Sequence, residues 1–140
     1  MSLSDVRTFQ LKTAKDPRGE LAVLEVAAAV PFAVTRLFYI RGVPPGTKRG
    51  EHAHKLCQQF LICQSGAIRV EMFDGRDWQT EELSEGDALM IPRGIYASET
   101  FLQDHTVLLV LCDRSYEPED YINGLDGYAK YLAAKGQLPR

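Results

Sequence analysis

Long hydrophobic runs and basic clusters are both missing from this sequence. No apolar run reaches the roughly 18 residues that a membrane span requires, so no membrane partner is predicted. The net charge is −3 and there is no long basic run, which disfavours a nucleic-acid-binding surface. The N-terminus lacks the basic and then apolar segments of a secretory signal. Repeats, low-complexity tracts and linkers are also missing, and we expect one domain over residues 1–140.

Cysteine is scarce and odd in number. The three residues, Cys57, Cys63 and Cys112, lie in apolar surroundings, so we expect buried, reduced thiols in a cytoplasmic protein. No basic partner stands at strand spacing from them, which disfavours a cysteine nucleophile. Apolar residues are plentiful, at 45% of the chain, and can fill a core.

Short hydrophobic segments separated by turn residues predict an all-β fold. Turn signals recur about every 8–12 residues, as expected for an antiparallel barrel or sandwich. Strands are predicted at residues 6–12, 21–26, 35–43, 59–64, 67–73, 78–83, 88–91, 99–102 and 106–112, and around the segment 49–55. A connection is predicted at 27–31, because Pro31 stops a helix. A short C-terminal helix, capped by Asp126 and stopped by Gly136, is predicted to cover one end of the barrel.

The most informative segment is 49–55, Arg-Gly-Glu-His-Ala-His-Lys. His52 and His54 are two residues apart, so on a strand both side chains point to the same face. Two imidazoles so placed can bind a metal ion or move protons near neutral pH. The third histidine, His105, stands in a polar loop and is predicted to be a solvated surface residue.

The spacing of this segment resembles the first cupin motif, G-x5-H-x-H-x4-E-x6-G. Gly46, His52, His54 and Gly66 occupy their positions, and Gln59 replaces the glutamate. The second motif, G-x5-P-x-G-x2-H-x3-N, is matched by Gly86, Pro92 and Gly94, whereas Ala97 replaces the histidine and Phe101 the asparagine. The resemblance implies the cupin double-stranded β-helix, a jelly-roll-like antiparallel barrel.

The two replaced positions bear on the choice between metal binding and proton transfer. A cupin metal site uses two histidines, the glutamate and the last histidine, and this chain retains the first two alone. Two neutral imidazoles form a weak site for a divalent ion. We therefore predict no bound metal and no other cofactor, and expect the histidines to exchange protons.

A narrower resemblance covers nearly the whole chain. The segment 49–55 is similar to the R-G-x-H-A-H-K segment of the nucleotide-sugar 3,4-ketoisomerases, a WxcM-like branch of the cupins. Segments 16–26, 31–40 and 110–122 also resemble that family, whereas Tyr96-Ala97-Ser98 replaces its frequent W-H-E. The resemblance implies an isomerase that moves the keto group of dTDP-4-keto-6-deoxy-glucose from carbon 4 to carbon 3 through an enediolate, without a metal. Its product would enter deoxy-amino-sugar synthesis for a bacterial surface glycan such as lipopolysaccharide.

The resemblance also implies roles for individual residues. His52 is predicted to be the catalytic base, His54 its partner and Tyr39 a donor to a sugar oxygen. The predicted substrate-binding residues are Arg49, Lys55, Gln59, Tyr96, Arg41 and Arg93. The dTDP-linked sugar is the predicted ligand, and the predicted partner is a second copy in a homodimer formed through an N-terminal strand, because an open edge strand is a liability.

Other functions remain open on the sequence. A related nucleotide-sugar 3,5-epimerase would use a histidine with a carboxylate partner and a tyrosine acid. A non-catalytic sugar-binding cupin would use the histidines for hydrogen bonding alone. A metal-dependent cupin oxygenase is the third alternative, and the configuration of the product at carbon 4 is not predicted.

Overall fold

The computed structural model describes residues 2–136, which are mostly β-structure. The strands are β1 Arg7–Gln10, β2 Lys12–Asp16, β3 Gly19–Val23, β4 Arg36–Ile40, β5 Lys48–His54, β6 Gln59–Ser65, β7 Ala67–Phe73, β8 Trp78–Ser84, β9 Asp87–Ile91, β10 Tyr96–Phe101, β11 Val107–Cys112 and β12 Tyr121–Asn123. The helices are α1 Val26–Ala29 and α2 Gly124–Ala134, with 3-10 turns at Leu3–Asp5 and Pro118–Asp120. None of the helices in the described range is long and apolar enough to cross a bilayer.

Ten strands form two antiparallel five-stranded sheets. Their orders are β1-β9-β6-β11-β4 and β12-β5-β10-β7-β8. Alternate residues of both sheets point into one core, as Val70 and Met72 of β7 and Leu89 of β9 do with no exposed surface. The predicted all-β, jelly-roll-like barrel with a short C-terminal helix is confirmed.

The histidine strand β5 lies inside the second sheet, between β12 and β10. Its pairing with β10 shifts register, because Ala97 faces His52 but Ser98 faces Gly50. Glu51 is therefore the extra residue of a β-bulge, and its φ of 58° lies in the left-handed region that few residues with a side chain adopt. Directly opposed residues share a face, so the bulge brings Arg49 to the same side of the sheet as His52.

Several predicted boundaries are wrong. The first predicted strand, 6–12, divides into β1, which pairs with β9, and the start of β2, which forms a separate hairpin with β3. Residues 26–29 form the one-turn helix α1 where a connection was predicted. Strand β10 begins at Tyr96, three residues before the prediction, and β12 was not predicted.

Helix α2 differs from its prediction in its start and in its place. It begins at Gly124, with Asn123 at the cap position, so Asp126 lies in the first turn. Gly136 follows the end of the helix with a φ of 73°, as predicted for a stop residue. Tyr128 and Leu132 pack with Ala53, Tyr96 and Ile122. Ala53 points away from the face that carries His52 and His54, so α2 covers the outer face of the sheet instead of the end of the barrel.

Candidate active site

A narrow cavity in the barrel interior is lined by both histidines. Its other polar walls come from Cys57, Gln59 and Glu99, and its apolar end is formed by Ile91, Pro92, Ile95 and Ala97. The two imidazole rings stand edge to face with centroids 5.0 Å apart. The prediction that His52 and His54 share one strand face is confirmed.

His52 is held by the backbone of its own bulge. Its Nδ1 lies 3.0 Å from the Gly50 carbonyl oxygen, and because a carbonyl can only accept, Nδ1–H is the donor. The Nε2 atom is then the unprotonated nitrogen. Burial, together with the neighbouring His54, lowers the pKa of His52 to about 4, so the imidazole is neutral at neutral pH.

His54 is held by a buried carboxylate. Its Nδ1 donates to Asp120 Oδ2 at 3.0 Å, and both side chains are almost fully buried. Asp120 also accepts the backbone N–H groups of Leu56, at 2.7 Å, and Cys57, at 3.3 Å. His54 Nε2 is buried and makes no hydrogen bond within residues 2–136. Burial lowers the pKa of His54, although Asp120 opposes that shift, and its free nitrogen can accept a proton.

An aromatic wall stands beside the imidazole pair. The Tyr121 ring lies 4.9 Å from the His52 ring and 4.5 Å from the His54 ring, between centroids. Tyr121 is brought there by the pairing of β12 with β5, in which it faces His54. The guanidinium of Arg36 stacks over the Tyr116 ring at 5.8 Å, and the Tyr116 ring in turn lies 5.8 Å from the Tyr121 ring, between centroids. The wall therefore combines a flat apolar surface with a phenol and a fixed positive charge.

The cavity does not supply a matching metal-ligand set. Ala97 contributes a methyl group and Gln59 a neutral amide at two of the four positions that cupins use for a metal. Over the described residues, the one group of clustered ligands is His54, Cys57 and Asp120. There, Asp120 already accepts two backbone donors and an imidazole N–H, and its neighbours raise the pKa of the Cys57 thiol, which disfavours the thiolate that a metal requires.

Of the nine residues predicted for the site, the structure brings four together. His52, His54 and Gln59 line the cavity. Arg49 lies at the rim on the same side of the sheet, directly opposite Glu99. These four therefore share one face of the barrel, three of them inside the cavity and Arg49 exposed at its rim.

The other five do not line this cavity in the chain's own fold, and their roles stay predictions. Tyr39 alternates with the core-facing Phe38 and Ile40, so it points outward, half exposed, with Arg41 stacked over its ring at 5.4 Å. Tyr96 is buried on the outer face against Tyr128, at 5.6 Å between centroids. Lys55 and Arg93 line a separate hollow of about 180 Å³ beside α2.

Three residues of the site were missed. Asp120 and Tyr121 lie 66 and 67 positions after His54, and only the pairing of β12 with β5 brings them near. Glu99 carried a usable signal, because it stands two residues after Ala97, which replaces the motif histidine, and therefore shares its face on a strand.

The predicted buried, unpaired state of the three cysteines is confirmed, as is the exposure of His105.

Comparisons with known proteins agree with the geometry. Residues 4–133 match the family model described as WxcM-like, C-terminal. The TDP-4-oxo-6-deoxy-alpha-D-glucose-3,4-oxoisomerase of Aneurinibacillus thermoaerophilus is 31% identical over 128 residues, which is 91% of this chain and 92% of that protein. The sugar 3,4-ketoisomerase QdtA from Thermoanaerobacterium thermosaccharolyticum, solved with TDP, is 28% identical with a TM-score of 0.85 and covers 96% of this chain and 98% of its own. A histidine-to-asparagine variant of QdtA was solved with TDP-4-keto-6-deoxyglucose.

A more distant solved structure shares the fold alone. The dTDP-4-dehydrorhamnose 3,5-epimerase of Bacillus anthracis is 19% identical, with a TM-score of 0.76 over 88% of this chain and 80% of its own. Its architecture is cupin-like, in agreement with the predicted fold.

Proposed function

The chain belongs to the WxcM-like, C-terminal family, and on that premise we propose that it is a TDP-sugar 3,4-ketoisomerase. The observation that carries the proposal is the pair of neutral imidazoles in one cavity, each with Nδ1 held by a protein acceptor and Nε2 left free. The substrate is a TDP-linked 4-keto-6-deoxy sugar, since the relatives named above act on or bind such a compound.

The reaction begins with removal of the proton from carbon 3 of the sugar. The neighbouring ketone acidifies that proton, and His52 Nε2 accepts it to give an enediolate. The low pKa of His52 ensures that the base is unprotonated at neutral pH. A low pKa also means that His52 binds a proton weakly. The negative charge of the enediolate beside the ring compensates for this, because it stabilises the imidazolium. Return of the proton to carbon 4 leaves the ketone at carbon 3.

His54 and its neighbours position and stabilise the reacting atoms. Asp120 fixes the His54 ring, so that Nε2 presents a lone pair to a sugar hydroxyl. Gln59 can donate to a sugar oxygen, and Arg49 supplies a positive charge at the rim. Donors fixed before the substrate binds lower the cost of placing negative charge in the cavity.

We further propose that the enzyme acts as a homodimer, with one cupin domain in each chain. All ten strand residues of the β2–β3 hairpin are exposed, including Leu21 at 63%. An isolated two-stranded hairpin is only marginally stable in water. Packing against a second copy of the chain would bury one face of this hairpin and stabilise it. The hairpin borders an open groove of about 870 Å³ next to Leu37 and Leu109.

We place the reaction in the cytoplasm, which agrees with the three free thiols. We expect its product to enter deoxy-amino-sugar synthesis for a bacterial surface glycan.

One observation keeps the 3,5-epimerase as a second candidate. Such an epimerase would use a histidine with a carboxylate partner, and the His54–Asp120 pair has that form. The two activities differ in the carbon that exchanges its proton. A ketoisomerase exchanges protons at carbons 3 and 4, whereas a 3,5-epimerase exchanges at carbons 3 and 5 and retains the ketone at carbon 4.

The test is proton NMR of the purified protein with TDP-4-keto-6-deoxyglucose in deuterated buffer with a chelator. We expect signals of the 3-keto sugar, whose coupling constants give the configuration at carbon 4. His52→Asn should reduce conversion by about 100-fold or more, because the base is lost. His105→Asn is the matched control, since His105 is exposed and asparagine tolerates its φ of 60°.

Three results would contradict this proposal. Deuterium at carbon 5 with the ketone unmoved would establish the epimerase. Binding of the sugar nucleotide without conversion would indicate a binding protein. Conversion that returns only after a metal is added would show that the cavity requires an ion.

A further inference from the structure

One acidic side chain stands among the inward-facing apolar residues of β10. Glu99 lies between Ala97 and Phe101, and all three share a face of the strand. Across the pairing with β7, Glu99 is opposite Val70, which has no exposed surface. The Glu99 carboxyl group therefore lies inside the barrel, where it lines the same cavity as the two histidines.

The local backbone makes room for this carboxyl group. A Cβ atom on Gly50 would lie 3.0 Å from Glu99 Oε2 and 3.1 Å from Oε1, so a side chain at position 50 would press on the carboxyl group. Gly50 is also the residue whose carbonyl oxygen fixes His52. The bulge of β5 therefore both leaves room for the Glu99 carboxyl group and fixes the His52 ring.

The charged and titratable groups around Glu99 are few. From β5 it faces Arg49, and across the cavity it faces His52, His54 and Cys57. From β7 it faces only apolar side chains of that strand. Burial raises the pKa of Glu99 to about 7, although the charge of Arg49 opposes that shift. Near neutral pH the group can therefore both give and take a proton.

The proposed reaction requires proton transfers that one base cannot complete. Besides the proton that moves from carbon 3 to carbon 4, oxygen 4 must gain a proton as its ketone becomes a hydroxyl, and oxygen 3 must lose one. His52 serves the carbon atoms, and neutral His54 has no proton to give to oxygen 4, because its one N–H is bonded to Asp120. A second acid/base group that reaches the oxygens is needed.

We propose that Glu99 is a catalytic residue that carries the proton from oxygen 3 to oxygen 4. His52 first removes the proton from carbon 3, which gives the enediolate, and the Glu99 carboxyl O–H then protonates oxygen 4 to give a neutral enediol. The Glu99 carboxylate then removes the proton from oxygen 3 while the imidazolium of His52 protonates carbon 4. The carbon–oxygen double bond re-forms at carbon 3, and His52 and Glu99 both return to their starting states. This inference rests on the ketoisomerase function proposed above.

This role of Glu99 predicts how kcat/KM depends on pH. Glu99 must begin protonated and His52 must begin neutral. Activity should therefore rise as pH increases through about 4, where His52 loses its proton, and fall as pH increases through about 7, where Glu99 loses its proton.

The test compares Glu99→Gln with the wild type in the deuterium NMR assay between pH 5 and pH 9. Glutamine keeps the shape and a hydrogen-bond donor for oxygen 4, but it cannot relay a proton. We expect kcat for conversion to fall by about 100-fold or more, whereas deuterium exchange at carbon 3 falls by less than about tenfold. The fall in activity above pH 7 should disappear from the residual rate. Glu71→Gln is the matched control, because Glu71 lies on β7 in a surface ion pair with Lys48.

Three outcomes would each overturn a different part of this proposal. A Glu99→Gln enzyme with kcat within threefold of the wild type, or with an unchanged fall above pH 7, overturns the role of Glu99 but not the ketoisomerase. Equal loss of exchange and conversion overturns the separate roles of His52 and Glu99. If the wild type itself fails to convert the sugar, the proposed function fails, and the inference fails with it. Circular dichroism and the melting temperature of each variant show that it is folded, and Glu99→Asp, which keeps a carboxyl group, should recover part of the conversion.

Discussion

The two histidines of the cavity differ in the groups that hold them. The Nδ1 atom of His52 meets a backbone carbonyl, which is neutral, whereas that of His54 meets the Asp120 carboxylate. A carboxylate stabilises an imidazolium more strongly than a carbonyl does. His54 is therefore the ring whose pKa is supported by a carboxylate, Asp120, against the lowering effect of burial.

Replacing that side chain is a direct test of the pair. Asp120→Asn should lower kcat by about tenfold or more with little change in KM, because the His54 ring loses its charged acceptor. It should also lower the free energy of unfolding by about 1–3 kcal/mol, because an amide has one oxygen to replace the two that receive the N–H groups of Leu56 and Cys57.

Steady-state kinetics and thermal unfolding measure these two effects. Asp126→Asn is the control, since Asp126 is an exposed residue of α2. Full activity in Asp120→Asn would show that the carboxylate has a structural role alone.

At the residue scale, sequence patterns located the histidines but not all their neighbours. The two-residue spacing was enough to place His52 and His54 together, since alternation is a local property of strands. The same alternation separated Tyr39 from Phe38, but it could not show which of the two faces the core. Asp120 was out of reach because its position depends on strand pairing across 66 residues.

Among the elements, β5 and α2 are joined through one residue, Gly94. The Tyr128 hydroxyl of α2 donates to the Gly94 carbonyl oxygen at 2.7 Å. The Gly94 N–H donates in turn to the His54 carbonyl oxygen, also at 2.7 Å. The C-terminal helix therefore supports the backbone of the histidine strand from the outer face of the sheet.

Tyr128→Phe tests that support. The substitution leaves the ring packed but removes the donor to Gly94, and it should cost about 1 kcal/mol of stability. For a chain of this size, the melting temperature should fall by about 2–4 °C. Differential scanning calorimetry measures the change, with Tyr131→Phe as the control on the same helix. An unchanged melting temperature would mean that the hydroxyl bond contributes nothing to folding.

Elements were predicted well where turns mark their ends. Asp74-Gly75 divides β7 from β8 clearly, whereas no turn residue separates β1 from β2, so the two were predicted as one strand. Strand β12 has three residues, which is too short for an alternating pattern to be recognised.

For the whole molecule, the β2–β3 hairpin is the feature that the single chain leaves uncovered. Leu21→Glu should convert the proposed dimer to monomers. A homodimer contains one Leu21 in each subunit, so the substitution removes two leucine contacts at about 1.5–3 kcal/mol each. This loss should raise the dissociation constant by about 100-fold or more. Analytical ultracentrifugation over a range of concentrations measures this shift.

Thr80→Glu, an exposed position on β8, is the control for added charge. A Leu21→Glu protein that sediments like the wild type would remove the hairpin from the interface.

The order of strands also bears on how the chain is made. Arg7 of β1 pairs with Met90 of β9, so β1 can pair only after roughly 80 more residues have left the ribosome. At about 5–20 residues per second, that interval lasts roughly 4–16 s. Throughout that interval the β1 segment has no β9 to pair with, whereas the β2–β3 hairpin that follows it pairs only with itself and can close within microseconds. The hairpin proposed to form the subunit contact is therefore the first β-structure that can form during synthesis, well before the barrel that contains the site.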